Sequence, residues 1–188
     1  YHAILGGGPC FIVHPSDCAP ALVALGAKIR LQSANGQREM PVEEFFVLLR
    51  VNLIRENKLQ SNELVVELEI PATTMRSTYV KFREREGFDW ALASVAAAME
   101  MQGTTCTGAR IVLGGVAPIP WRVQKVEEYL KGKTIDEESA RQAGEMAVEG
   151  ATPLAENQEK VDIVKSIVKT AILSLKEGTT GVLSPLLY

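Results

Sequence analysis

The first 31 residues read YHAILGGGPCFIVHPSDCAPALVALGAKIRL, and the residues best suited to chemistry concentrate there. Gly6, Gly7 and Gly8 interrupt a short apolar run. Without a Cβ, the backbone at such positions can take φ > 0 or come close against a ligand. Ser16 and Asp17 follow, each able to cap a helix, and residues 19–25 carry an apolar, helix-favouring pattern that stops at Gly26. Backbone N–H groups left unpaired in a glycine loop, or at a capped helix start, suit a phosphate or a flavin ring edge. A tight turn between strands, with Asp17 as an N-cap, accounts for the same residues without a ligand.

Other chemistries are poorly supplied. His2 and His14 are the only two histidines, too few for a multi-histidine metal centre, and no metal ligand is assigned. Cys10, Cys18 and Cys106 form an odd set without zinc-site spacing, so reduced thiols are expected rather than a disulfide framework. The 188 residues are 46% hydrophobic and 23% charged, ordinary values for a soluble globular protein. A net charge of −3 leaves no footprint for nucleic acid or an anionic membrane. No stretch approaches the ~20 apolar residues needed to span a bilayer, and no leader-like segment opens the chain. A soluble, cytoplasmic protein without membrane insertion is the expectation. Tyr1 opens inside an apolar run, which suggests a fragment or a processed piece.

The pattern predicts strand, tight loop, strand, cap, short helix and strand over residues 3–31. Residues 33–36 form a turn, 37–40 a returning arm, and Pro41 opens a short helix. Residues 48–58 fit a helix extension or a loop. Residues 64–70 read as a strand apolar on both faces, ended by Pro71. A boundary falls at 72–77. Beyond it come a strand at 78–85, a turn at Gly87-Phe88-Asp89 and an apolar run at 90–102. Ala91, Val95, Ala98 and Met99 have helical spacing, but the small and β-branched residues favour a core strand, with a loop at 103–108 and a partner strand at 109–117. Helices are predicted over 121–131, 135–150 and 161–176. The last carries one stripe of Val161, Val164, Ile167, Val168, Ala171, Ile172 and Leu175, stopped by Gly178. The apolar tail at 179–188 is expected on the surface or under a partner. Trp90 and Trp121 read as core anchors, Cys10 as a small core residue, and Arg83, Arg85 and Asp89 as an ion-pair cluster.

Together these blocks resemble the FAD-binding subunits of molybdenum hydroxylases, a family that includes xanthine dehydrogenase, carbon monoxide dehydrogenase and 4-hydroxybenzoyl-CoA reductase. The resemblance rests on Gly6-Gly7 followed by Asp17 and APALVALGAKIRL, then ELVVELEIP, YVKFREREGFDWALASVAAAM and RIVLGGVAPIPWRV in order. The blocks cover about four-fifths of the chain, and several in order are more specific than one short motif. The implied fold class is α+β. The C-terminal part of a PCMH-type FAD-binding domain (1–74) precedes a CO-dehydrogenase-flavoprotein-like domain (75–178), an antiparallel three-stranded sheet packed on a helical bundle, with a tail at 179–188.

By the same resemblance, Gly6, Gly7, Gly8, Asp17, Val65 and Lys81 contact FAD, and no residue is assigned as catalytic. Val65 matches a strand position packed on the flavin ring, and reads otherwise as a core strand residue. Lys81 matches a lysine near the isoalloxazine that can stabilise charge around N1–C2=O of reduced flavin, and reads otherwise as a solvated lysine paired with a glutamate. Ile4 and Gly8 stand where family members commonly have Ser or Thr and Asn, so backbone contacts would replace a hydroxyl contact. The implied role is an oxidoreductase subunit relaying electrons between 2Fe-2S clusters of an iron–sulfur subunit and an acceptor such as NAD or quinone. Molybdopterin would sit on a further, molybdopterin-binding subunit. An upstream N-terminal FAD-binding segment would hold the diphosphate, and YHAILGGGPC is similar to members with a four-iron cluster on an upstream insertion near Cys10. The alternative is a noncatalytic docking fragment without a complete flavin site.

Overall fold

In the computed structural model, residues 2–85, 89–178 and 181–183 are described. Ser16 starts α1 (Cys18–Ala24) by accepting the Ala19 amide on its Oγ at 3.0 Å, and Gly26 at φ 70° turns the chain after it. Lys28–Ser33 (β1) and Gly36–Pro41 (β2) pair antiparallel, Ser33 opposite Gly36. A single turn, α2 (Val42–Phe45), follows Pro41, whose fixed φ suits a helix start. Leu64–Glu69 (β3) pairs with the other edge of β1, giving a sheet ordered β2-β1-β3. Ile29 and Leu31 of β1 are buried, while Lys28 and Arg30 on its other face pair with Glu39 and Glu67.

The larger sheet is ordered β7-β6-β5-β4-β8. Its three long strands, Arg76–Phe82 (β4), Ala93–Gln102 (β5) and Thr105–Gly114 (β6), are antiparallel neighbours. Two short strands flank them: Trp121–Arg122 (β7) beside β6, and Gly181–Leu183 (β8), parallel to β4. Residues 93–99 are buried without interruption because β5 is covered on both faces. Val95, Ala97 and Met99 pack with helices α3 (Gln124–Leu130), α4 (Glu137–Ala147) and α5 (Glu159–Glu177). Ala96 packs on the opposite side with Val23, Ala24 and Leu31.

The helices follow their end signals. Asp136 and Ser139 form a reciprocal capping box at α4, and Gly178 at φ 81° closes α5. Val164, Ile167, Val168, Ala171, Ile172 and Leu175 of the expected stripe are buried. No helix among the described residues is long and apolar enough to cross a membrane.

Several elements differ from the sequence expectation. Residues 3–5 and 11–13 are not strands. The two runs touch through Ala3 N–H to Phe11 O (2.8 Å), while Ile4 and Leu5 donate to Val116 O, so their amides are spent on a turn elsewhere. Of the two alternatives open for residues 48–58 the structure takes the loop, closed by Val47 N–H to Glu56 O. The expected loop at 103–108 shrinks to two residues, because Gly103 at φ 62° permits a tight turn with Gln102 opposite Thr105. Trp121 leaves the third-to-last helix for β7. β3 is exposed on both faces, Val65 at 46%, because among the described residues no helix or second sheet layers over it. Gly87 and Phe88 of the expected turn lie outside the described residues, as do 179–180 and 184–188 of the tail.

Candidate functional site

Asp17 sits at the N-terminal end of α1 without capping it. Ser16 takes the cap, and Asp17 has helical φ and ψ (−80°, −33°). Its carboxylate is therefore available to another element. Residues two apart on a strand share a face, so β4 presents Tyr79 and Lys81 together. Tyr79 Oη donates to Asp17 Oδ1 at 3.0 Å, and Lys81 Nζ donates to Oδ2 at 2.6 Å. Burial, with the Asp17 charge adding to it, pushes the Tyr79 phenol well above its ordinary value, so it remains a donor at neutral pH.

Asp17 also lines a cavity of about 190 Å³ with His14, Ser16, Asp89, Trp90 and Gly115. His14 packs edge-on against Phe46, ring centroids 4.7 Å apart. Burial pushes its pKa down, with Glu56 opposing, so the imidazole is neutral at pH 7. Its Nδ1 is buried without a hydrogen-bond partner among the described residues. Trp90, expected in the core, is 57% exposed at the cavity. It precedes β5 by three residues, before both faces of the strand become covered. Gly115, at φ 70°, forms part of the wall; a Cβ there would stand 2.9 Å from Ala91 O.

The other expected contacts lie apart from this cavity. Gly6, Gly7, Gly8 and Val65 are not among its lining residues, and Lys81 reaches it only through Asp17. Gly6 is at φ 60°, and a Cβ on it would meet the Trp121 ring at 2.6 Å. A Cβ on Gly7 would meet the Phe11 ring at 2.5 Å, whereas Gly8, at φ 93°, faces open space. Cys10 is exposed rather than in the core. Arg85 and Asp89 pair at 2.9 Å as expected. Sequence reading did not single out His14, Tyr79 or Trp90 for the site. The one available signal was position: His14 stands three residues before Asp17, and Tyr79 two before Lys81.

The arrangement suits a planar, polar-edged ring. Trp90 offers an open aromatic face for stacking. A carboxylate has about four lone-pair sites, so Asp17 keeps acceptor capacity after bonding Tyr79 and Lys81. His14 Nδ1 needs a partner, which a ligand N–H, O–H or carbonyl would supply. The volume falls below the roughly 300–1,000 Å³ of sites that enclose whole ligands of drug size. It has room for a ring rather than for an entire dinucleotide.

Comparison with known proteins finds two family matches along the chain. Residues 1–73 match the family described as the FAD binding domain in molybdopterin dehydrogenase, and residues 77–174 match the CO dehydrogenase flavoprotein C-terminal domain. The carbon monoxide dehydrogenase medium chain of Hydrogenophaga pseudoflava is 33% identical over 76% of this chain and 48% of its own length. The aldehyde oxidoreductase FAD-binding subunit PaoB of Escherichia coli K12 is 29% identical over 91% of this chain and 52% of its own. A solved structure of quinoline 2-oxidoreductase from Pseudomonas putida 86 superposes with a TM-score of 0.77 at 27% identity, covering 88% of this chain and 57% of that one. The chain thus spans about half the length of these relatives.

Proposed function

Because the chain belongs to the FAD-binding medium subunits of the molybdenum hydroxylase family, we propose that the Asp17–Trp90 cavity receives the isoalloxazine ring of FAD within an electron-relaying oxidoreductase complex. The observation that carries this reading is the Lys81–Asp17 pair, which joins the two family regions at the cavity. FAD supplies the chemistry that fits such a junction: it accepts electrons as a pair and releases them singly. The relay runs between iron–sulfur clusters on a partner subunit and an acceptor such as NAD or quinone, with substrate turned over at molybdopterin on another subunit.

The chain's own residues bind and orient. Trp90 would cover a ring face, His14 Nδ1 would meet a polar ring atom, and Asp17 would accept from a ribityl hydroxyl. Lys81 places positive charge beside the site and lowers the cost of added negative charge on the ring. Gly8 offers open backbone, and the apolar side of β3 around Val65 extends the flavin-facing surface. The functional division runs at 74/75. The diphosphate is held by an upstream segment, since this cavity takes only the ring. Absorbance at the flavin bands of the complex purified with this subunit tests the reading, with Asp17→Ala as the comparison. Loss of flavin from the variant supports it, and full retention counts against it.

A docking module without a working flavin site is the second reading, favoured by one observation. Val51, Leu53 and Ile54 are exposed, as are the apolar residues of β3, which offers apolar surface to a partner. Assembly of the complex without flavin absorbance would favour it.

A further inference from the structure

Lys160 is among the largest fully buried side chains, only 1% exposed, in the first turn of α5. Its Nζ donates to Gly115 O at 2.7 Å and to His2 O at 3.0 Å. A buried ammonium is costly unless its hydrogens are satisfied, and these carbonyls satisfy it with main-chain dipoles. Asn157, also buried, adds its Nδ2 to His2 O at 3.1 Å, with its Oδ1 held by the Leu154 amide at 2.6 Å. One charged group thus grips two segments more than 100 positions apart in sequence.

Both gripped segments lead to the cavity. Gly115 lines it, in a conformation that a Cβ would not permit. The next residues of its turn anchor the N-terminal segment: Val116 O accepts from Ile4 and Leu5, and Ala117 O accepts from His14 at 3.0 Å. His14 and Asp17 then line the cavity together with Gly115. Thr152 N–H to Ile4 O, at 2.8 Å, adds a tie on the helical side.

We infer that Lys160 is a positioning residue for the flavin cavity, its ammonium pinning the His2 and Gly115 carbonyls so that the 115–117 turn holds residues 2–14 in register at the cavity. It touches no ligand and acts through the backbone. This role rests on the flavin reading for its consequence, but the clamp itself does not depend on flavin.

The test is amide hydrogen exchange on the intact protein without flavin, corrected for intrinsic rates, followed by FAD titration. Lys160→Met removes the donors and keeps the unbranched stem; Lys160→Gln keeps a shorter N–H donor. Protection at Ile4, Leu5 and His14 should fall at least tenfold in Lys160→Met and less in Lys160→Gln, while β5 and β6 change less than twofold. FAD affinity should fall at least fivefold in Lys160→Met and partly recover in Lys160→Gln. Unchanged local protection, or an even loss across β5 and β6 in both variants, would overturn the clamp. Where Lys160→Met does not fold, the Lys160→Gln pattern decides: selective loss at the three amides supports the role, and no selective loss overturns it. The FAD titrations are made with the upstream segment supplied, and failure of that completed wild type to take FAD would remove the flavin reading while leaving the exchange result to judge the clamp.

Discussion

Lys81 Nζ and Asp17 Oδ2 are 2.6 Å apart, although 64 positions separate them in sequence. The family resemblance implies flavin contact for each through a different block of the sequence, and the fold makes them partners. Asp17 is left free to do this because Ser16 caps α1. Lys81→Met should therefore do more than remove one cation. Asp17 would lose its charged partner, and FAD should bind about tenfold or more weakly, the scale of one charge-assisted hydrogen bond. Equilibrium dialysis against FAD, with circular dichroism to check the fold, measures this.

A second ion pair predicts acid sensitivity. Arg38 grips Glu63 through Nε at 2.6 Å and Nη2 at 2.7 Å, and the Gln60 amide adds a bond at 2.8 Å. The Arg38 hydrogen bond, followed by that from Gln60, holds the Glu63 carboxyl down at about 2. The folded value lies below the unfolded one near 4.5, so the unfolded chain binds more protons between them. This contribution is complete above pH 4.5 and is lost as pH falls toward 2. Glu63→Gln should lower the thermal midpoint at pH 7, with the gap from wild type closing by pH 2 to 3 in a melting series.

Lys160 has the opposite sign. Burial lowers its pKa to about 8 from 10.5, against the raising influence of Glu159 on its own helix, while the other elements present the His2 and Gly115 carbonyls. The unfolded chain then carries the extra proton between pH 8 and 10.5, so this group makes the fold more stable as pH rises through that window. The full span is about 3 kcal/mol. Urea unfolding at pH 7.5 and 10 should show this rise in wild type relative to Lys160→Met; parallel changes in the two proteins would contradict it.

Gly144→Ala sets two effects against each other. Alanine favours a helix interior by about 1 kcal/mol over glycine. A Cβ on Gly144, however, would lie 2.6 Å from Lys165 O, so α4 and α5 must separate. Overpacking costs typically 1–3 kcal/mol and wins. Chemical denaturation should show Gly144→Ala less stable than wild type; greater stability would mean that the helices are not so tightly apposed.

The readable parts of the sequence were those set by local chemistry. Gly26 and Gly178 ended their helices, and the small, β-branched run through Val95 and Ala98 favoured a strand covered on both faces despite its helical spacing. What escaped depended on what lay across space. The 64–69 run is as apolar as a core strand, yet burial requires a layer on each face, and β3 is exposed along its length. Trp90 reads like any core aromatic, but its place just before β5 leaves it at the cavity mouth. Tyr79 lies within a strand pattern, and nothing local shows that its hydroxyl meets Asp17. The glycine triplet was legible as a special backbone, while its immediate cause at Gly6 is the Trp121 ring, 115 positions away.

The most direct measurement is an FAD titration, followed by flavin fluorescence, of the wild type and Asp17→Ala, each alone and with the upstream segment supplied as a longer chain or a second polypeptide. The flavin account predicts weak or undetectable binding by residues 1–188 alone, and tight binding once the diphosphate-holding segment is present. In the completed protein, Asp17→Ala should weaken binding at least tenfold. Equal, tight affinity for wild type and Asp17→Ala would contradict it and place the flavin away from the Asp17–Trp90 cavity.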